Sequence, residues 1–229
     1  AGSDGPFTIA FDETYNVFSP KVGLQWRASP TFTLGTVVSR GYNGGGAGFT
    51  YDFPFVSYTF EPEYVWTSES YLRADLADGK VSLTGNVFYS RYQDMQLPFD
   101  LNPDPSIWAF VVRNADAVVT YGSEFGATWR AMPSLELFGN VGLLKAEITD
   151  YPGSSVQGNE LPRSPSASVL FGARYRDARG VDASLEARVA GAYFSSVTND
   201  PFGRTDAYTN VNAQAGYTIR GTGTRVFVF

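Results

Sequence analysis

The chain has 229 residues, of which 43% are hydrophobic and 16% aromatic, and its formal net charge is −6. It contains neither histidine nor cysteine, which excludes Ser-His and Cys-His hydrolases, His- or thiolate-ligated metal sites and disulfides. The excess of acidic over basic residues argues against a nucleic-acid binder that works through phosphate contacts. No apolar run approaches the roughly 18 to 20 residues of a membrane helix. The sequence therefore indicates an all-β protein that is not an enzyme and has no cofactor.

Apolar and polar residues alternate with period two along the whole length, which is typical of strands with one apolar and one polar face. In residues 181–189, for example, Val, Ala and Leu occupy the odd positions, whereas Asp, Ser, Glu and Arg occupy the even ones. The pattern predicts ten strands, near residues 20–28, 31–39, 62–76, 80–93, 117–131, 134–148, 166–177, 180–193, 207–219 and 224–229.

The connections between these strands alternate in length. Short turns rich in Gly, Pro and Asp are predicted at 28–30, 77–79, 132–134, 177–180 and 220–223. Long loops, with most of the prolines, are predicted at 40–61, 94–116, 149–165 and 194–206. Asp78-Gly79 is the strongest single hairpin signal. The sequence therefore describes an antiparallel meander with short turns at one end and long loops at the other.

The apolar faces of such a meander can cover the core of a soluble β-sandwich or face lipid. Several predicted strands run to about 11 to 15 residues, beyond the mode of 5 or 6 in globular sheets and long enough to cross a bilayer at a tilt. Aromatic residues gather near strand ends, as at Trp26, Trp66 and Trp129, where the headgroup region favours them. We therefore predict a transmembrane antiparallel β-barrel, with the soluble sandwich binding module as an alternative.

Six short motifs follow one another between residues 18 and 165. They are FSPKVGL at 18–24, VSRGY at 38–42, FEPE at 60–63 with the later Glu69, VFY at 87–89 leading to Tyr92, Asp94 and Gln96, Asn114-Ala115 with Gly122 and Glu124, and Gly158 with Leu161, Pro162 and Pro165. Their order resembles that in the TonB-dependent outer-membrane receptors. No single motif is specific, but together they span most of the chain.

The resemblance implies a barrel of about 22 strands with a plug domain in its lumen. Residues 1–229 are expected to form a single domain that supplies about ten of these strands, with no plug domain and no TonB box. By resemblance, the protein is a receptor in the outer membrane of a Gram-negative bacterium for TonB-dependent uptake of a scarce nutrient, typically a ferric siderophore. Its partners would be membrane lipid, a plug domain, the periplasmic TonB protein and the nutrient. A standalone small barrel that acts as a structural protein or a passive pore is the alternative.

Two groups of residues are candidates for ligand contacts. The charged side chains of the predicted inner face are Glu63, Glu69, Arg73, Glu124, Arg130, Glu186 and Arg188. Ion pairing and solvation are the favoured explanation for them, because the interior of a water-filled barrel must be polar whatever passes through it. The aromatic residues of the predicted outer loops are Tyr51, Phe53, Phe55 and Trp108, which could stack on a ligand or pack the loops. Residues 100–104 begin like a calcium loop, but Pro105 and Val111 stand where the loop's glycine and bidentate glutamate belong, so no metal site is predicted.

Overall fold

The computed structural model describes residues 11–102, 104 and 106–229, and its main feature is an antiparallel sheet of ten strands. In chain order the strands are β1 (Lys21–Ser29), β2 (Phe32–Asn43), β3 (Gly46–Phe49), β4 (Ser57–Phe60), β5 (Glu63–Leu76), β6 (Val81–Asp100), β7 (Phe110–Met132), β8 (Leu135–Asp150), β9 (Ala167–Arg176), β10 (Val181–Ala190), β11 (Tyr193–Phe194), β12 (Arg204–Thr205), β13 (Tyr208–Ile219) and β14 (Thr224–Val228). The described residues also include a 3₁₀ turn at Pro201–Gly203. Over the described residues, none of the helical structure is long and apolar enough to cross a membrane.

The ten strands of the main sheet follow the order β1-β2-β5-β6-β7-β8-β9-β10-β13-β14. Each strand therefore pairs with the next one along the chain, apart from the small hairpins β3–β4 and β11–β12, which lie in two of the long connections. This arrangement confirms the predicted meander of ten strands. This sheet is called the wall below. Among the described residues it is open, because β1 and β14 each pair on one side only.

The short connections lie together at one end of the wall, called the turn end. In the turn after β5, Ala77, Asp78 and Gly79 have φ angles of 52°, 53° and 78°, the left-handed region that Asp and Gly tolerate best. In the turn after β9, the Asp177 carboxylate accepts hydrogen bonds from the backbone N–H groups of Arg179 and Val181 at 2.9 and 3.0 Å. The Arg179 side chain also donates to Asp177 and lowers the pKa of this carboxyl group, so the turn is stabilised by a charged group at neutral pH.

The register places alternate side chains of all ten strands on two opposite faces. One face is concave, because residues from Lys21 in β1 to Asn212 in β13 line the same cavity. The convex face carries the apolar residues of the period-two pattern, and these stay exposed: Leu185 is 55% exposed and Phe125 52%. In the part of the chain that the structure describes, no second sheet covers them, which contradicts the soluble sandwich.

The prediction of a long loop at 94–116 is wrong. β6 continues to Asp100 and β7 begins at Phe110, so the connection shrinks to residues 101–109. The pairing of β5 with β6 ends at Gln93, and beyond this point β6 pairs only with β7. Pro98, which lacks a backbone N–H, lies opposite Val112 and is tolerated because this part of β6 pairs on one side only among the described residues.

The main apolar core lies at the other end of the wall, the loop end. Asp94 has a φ of 55°, and after this kink Leu97 and Phe99 turn away from the convex face and pack with residues of β7 and β8. The buried cluster, called the loop cap below, consists of Leu97, Phe99, Val111, Ala115, Val118, Ala146, Ile148, Val156, Leu161 and Val197. Its members come from the extended β6–β7 hairpin, from β8, and from the loops that follow β8 and β10. The long connections are therefore folded onto the wall.

Candidate functional site

The concave face brings most of the predicted inner-face residues together. Glu69, Arg73, Glu124, Glu186 and Arg188 line one cavity of about 1010 Å³. The register orders them along the wall: Glu69 lies nearest the loop end, Glu124 in the row with Tyr71, and Arg73 and Arg188 one row nearer the turn end. Glu186 lies one further row toward the turn end, opposite Gly172, so acidic residues of the cavity wall lie on both sides of the row that carries the two arginines.

The other two predicted inner-face residues lie apart from this cavity. Glu63 is near the loop end, where its carboxylate accepts a hydrogen bond from the Gln96 backbone N–H at 2.8 Å. Arg130 is at the turn end, where its guanidinium donates to the carbonyl of Gly79 at 3.5 Å. Arg130 lines a second depression with Arg174, Arg176 and Arg225. The seven charges therefore form one central group and two outlying positions.

Several neutral polar residues of the cavity were not singled out from the sequence. Tyr71 lies across Gly35 of the next strand, where a Cβ atom would meet its ring, and its hydroxyl donates to Gln25 Oε1 at 3.0 Å. Asn86 Oδ1 is buried without a hydrogen-bond partner among the described residues, and Asn86 pairs in register with Glu124. The two side chains thus present acceptors side by side. The period-two pattern of the sequence places Tyr71 and Asn86 on the same inner face as the charged candidates, so both could have been predicted as cavity residues.

The predicted loop aromatics are exposed at the tip of the β3–β4 hairpin and in the loop after β6. Tyr51 is 79% exposed, Phe53 70%, Phe55 58% and Trp108 68%. Thr50 closes the hairpin tip, since its hydroxyl donates to the carbonyl of Pro54 and accepts from the backbone N–H of Val56. The four side chains are called the aromatic platform below.

Two hydrogen bonds join the two segments of the aromatic platform. The backbone N–H of Trp108 donates to Asp52 at 2.9 Å, and the Asn102 side chain donates to the carbonyl of Phe53 at 3.1 Å. Residues 49 and 56 positions apart in the sequence are thus joined, and the rings lie on adjoining loops. Phe49, 41% exposed, adds a ring 5.2 Å from that of Tyr51 and was not among the candidates predicted from the sequence, although it lies in the same predicted loop.

Three of the six sequence motifs meet in one hydrogen-bond network below the loop cap. The Asn114 side chain donates to the carbonyls of Glu61 and Asp94 at 2.9 and 2.7 Å and accepts from the Glu61 N–H at 2.8 Å. The Gln96 amide donates to the carbonyls of Gly44 and Glu61. These bonds satisfy backbone groups at the kink of β6, where the pairing of β5 with β6 stops. The network therefore fixes how the loops leave the wall.

Replacing Asn114 with Ala is expected to lower the free energy of unfolding by about 1 to 2 kcal/mol, because it leaves backbone groups at the kink without partners. Thermal unfolding of the full-length protein in detergent, followed by far-ultraviolet circular dichroism, measures this loss. Asn210→Ala is the matched control, since the Asn210 side chain makes no hydrogen bond within the part of the chain that the structure describes. Equal stability of the two variants would contradict the assigned role of the network.

The sequence of this chain matches the model of a known protein family. The family model described as TonB dependent receptor-like, beta-barrel, matches residues 2–228. The chain belongs to this family. The resemblance seen in the six motifs is thereby confirmed, and the wall is the wall of a TonB-dependent receptor barrel, a family of outer-membrane receptors and transporters.

Solved structures of similar fold agree with this assignment. The chain is 20% identical to the ferric yersiniabactin uptake receptor FyuA from Yersinia pestis, with a TM-score of 0.70 over 86% of this chain and 29% of that receptor. It is 17% identical to BauA, the ferric preacinetobactin receptor from Acinetobacter baumannii, with a TM-score of 0.68 over 91% and 30% of the two chains. It is 14% identical to the copper transporter OprC, with a TM-score of 0.70 over 89% of this chain and 31% of that transporter. The chain spans less than a third of the length of each.

Proposed function

We propose that residues 1–229 form one domain, the barrel segment of a transporter that takes up a scarce nutrient, a ferric siderophore, across the outer membrane of a Gram-negative bacterium. The observation that carries the proposal is the aromatic platform, which stands at the loop end of a receptor wall and exposes four rings on two joined loops. It is proposed to act as a binding protein and not as an enzyme.

The open sheet supports a larger barrel. In hydrocarbon, backbone N–H and C=O groups must be paired within the protein, yet β1 and β14 each have a free edge. We propose that further strands of the same receptor pair with these edges and close the barrel. A passive pore made of these ten strands alone would have to close β1 onto β14, and these two strands do not pair in the part of the chain that the structure describes.

The concave face supports a plug domain as the partner inside the barrel. Asn86 and Glu124 present neighbouring acceptors, and the buried Asn86 Oδ1 has no hydrogen-bond partner among the residues that the structure describes. Such groups gain most from a donor supplied by a partner. Arg73 and Arg188 offer the complementary charge one row away. Movement of such a plug by the periplasmic TonB protein would then open the path that the polar cavity lines.

The aromatic platform supports a ligand with planar or apolar parts. Aromatic rings stack on flat groups and contribute about 0.5 to 1.5 kcal/mol per pair beyond the area they bury. FyuA and BauA are receptors for ferric yersiniabactin and ferric preacinetobactin, whereas OprC is a copper transporter. The fold is thus compatible with more than one cargo, and the exposed rings favour the siderophore over a bare metal ion.

The test measures binding of a panel of ferric siderophores to the full-length protein by isothermal titration calorimetry. Trp108→Ala is expected to weaken binding roughly tenfold, which corresponds to about 1.4 kcal/mol, and Trp108→Phe is expected to retain most of the affinity. Phe202→Ala is the control, because Phe202 is fully exposed on a different loop. An equal loss in Trp108→Ala and Phe202→Ala would reject the aromatic platform as the binding surface, and absence of binding to the whole panel would reject the ligand class.

A further inference from the structure

Two arginines flank a tryptophan on the convex face near the loop end. Trp66 of β5 pairs in register with Arg40 of β2 on one side and with Arg91 of β6 on the other. Paired residues of neighbouring strands share a face, and strands lie about 4.8 Å apart. The Cα atoms of the two arginines are therefore about 10 Å apart with Trp66 between them, and both long side chains can reach a single group above its ring.

The row of Arg40, Trp66 and Arg91 lies at the loop-side edge of the apolar convex face. On the turn side, the next row carries Val38 and Tyr89, which are 43% and 47% exposed. On the loop side, the next row carries Tyr42 and Tyr64, whose rings lie 5.9 Å apart. Tyr and Trp belts mark the headgroup level of a membrane, so the two guanidinium groups lie where lipid phosphates lie.

Among the described residues, neither arginine of this row forms an ion pair. Arg40 is held in place by the Tyr64 ring, 4.6 Å from its guanidinium carbon, and by the carbonyl of Phe18, neither of which is charged. Arg91 is exposed and has no ion pair within the described ranges. Farther along the same row, Glu147 lies two strands away and pairs with Lys145 at 3.1 Å. An anion from outside is therefore the partner that the row lacks.

A furrow on the same strands supplies room for an acyl chain. A depression of about 380 Å³ on the convex face is lined by Leu24, Trp26, Leu34, Leu72, Val87 and Phe125. Its floor includes the small residues Thr36, Ser70 and Gly85. Val87 precedes Arg91 by four residues on β6, which is about 14 Å along a strand. The furrow and the arginine row thus follow one another along the membrane normal, as the tail and the phosphate of one lipid do.

We propose that Arg40, Trp66 and Arg91 form a binding site for the phosphate of an anionic lipid whose acyl chain lies in the furrow. Guanidinium groups bind phosphate through paired, charge-assisted hydrogen bonds. The lipid is held on the outer surface of the receptor wall, apart from the transport path. The inference rests on the proposed function only in that the convex face meets the membrane.

The test uses the full-length protein in neutral detergent to which phosphatidylglycerol or phosphatidylcholine is added, and native mass spectrometry counts the bound lipid. Phosphatidylglycerol is expected to bind more tightly than phosphatidylcholine, and Arg91→Gln is expected to weaken its binding about tenfold, since hydrogen bonds to charged groups contribute most. Arg188→Gln, on the concave face, is the matched control and should bind as the unchanged protein does. Phe125→Ala, in the furrow, should reduce retention of both lipids.

Three results would overturn the site. Equal binding of the two lipids would show that charge does not matter, and equal losses in Arg91→Gln and Arg188→Gln would show that only net charge matters. Inorganic phosphate that displaces the lipid at equal concentration would show a site for a free anion. Ferric siderophore binding, measured on the same Arg91→Gln sample, is expected to be unchanged, so that failure of the lipid site and failure of the proposed function can be told apart.

Discussion

Arginine in place of Leu185 is expected to lower the free energy of unfolding in lipid bilayers by about 2 to 4 kcal/mol. Leu185 lies at the centre of β10 on the convex face and is 55% exposed. In water, an exposed leucine would tolerate this change at little cost. In a membrane, the guanidinium group at this depth must leave water or distort the bilayer, which is why the cost is large. Denaturant titration of the full-length protein in vesicles, followed by tryptophan fluorescence, measures it.

Ser184→Arg is the matched control for this experiment. Ser184 is the preceding residue of the same strand, but it lies on the concave face in the depression that Arg174 and Arg225 line. An arginine there stays hydrated, so its expected cost is below about 1 kcal/mol. Equal costs at the two positions would contradict the assignment of the two faces, and a larger cost at Ser184 would reverse it.

Alanine in place of Ile148 is expected to destabilise the loop cap by about 2 to 5 kcal/mol, because the surrounding side chains cannot fill the cavity left behind. Ile148 is fully buried, as are Val118 and Val156. Its backbone also holds the loop after β8: its N–H donates to the carbonyl of Asn159 at 2.9 Å, and its carbonyl accepts from Gly158 at 2.7 Å. Loss of packing at this point should therefore release the loop from the wall.

Hydrogen exchange of the full-length protein in detergent distinguishes this local effect from global unfolding. In Ile148→Ala, amides of residues 156–161 should exchange faster while those of β9 and β10 keep their protection. Ile219→Ala is the control, because Ile219 is 40% exposed near the turn end and its removal leaves no internal cavity. Unchanged exchange in Ile148→Ala would mean that the loop cap does not hold the loop.

The wall could be predicted from the sequence because its signals are local. Alternation in residues 181–189 fixes the face of each side chain, and Asp78-Gly79 fixes a hairpin turn without reference to the rest of the chain. The predicted and observed strand bounds differ by one to three residues in most places. The family motifs could also be identified from the sequence, and the family match confirms them.

The loop end could not be predicted because its order depends on distant partners. Pro98 argues against a strand in any local reading, and it is tolerated only because β5 stops pairing at Gln93. The side chain of Asn114 is informative only once Glu61 and Asp94 are known to lie beside it. In the same way, the aromatic platform depends on Asp52 meeting Trp108, a contact that no sequence spacing indicates.

The most direct test of the central claim, that the convex face meets lipid and the concave face meets water, is a scan of single cysteines through positions 181–189. The 229 residues contain no cysteine of their own, so within them each introduced thiol is the single labelling position, and any cysteine elsewhere in the full-length protein is replaced with serine before the scan in bilayers. The predicted result is strict alternation: labels at odd positions are relaxed by oxygen dissolved in lipid, and labels at even positions by a water-soluble nickel complex. Equal access of both reagents along the strand, or alternation in the opposite phase, would contradict the account.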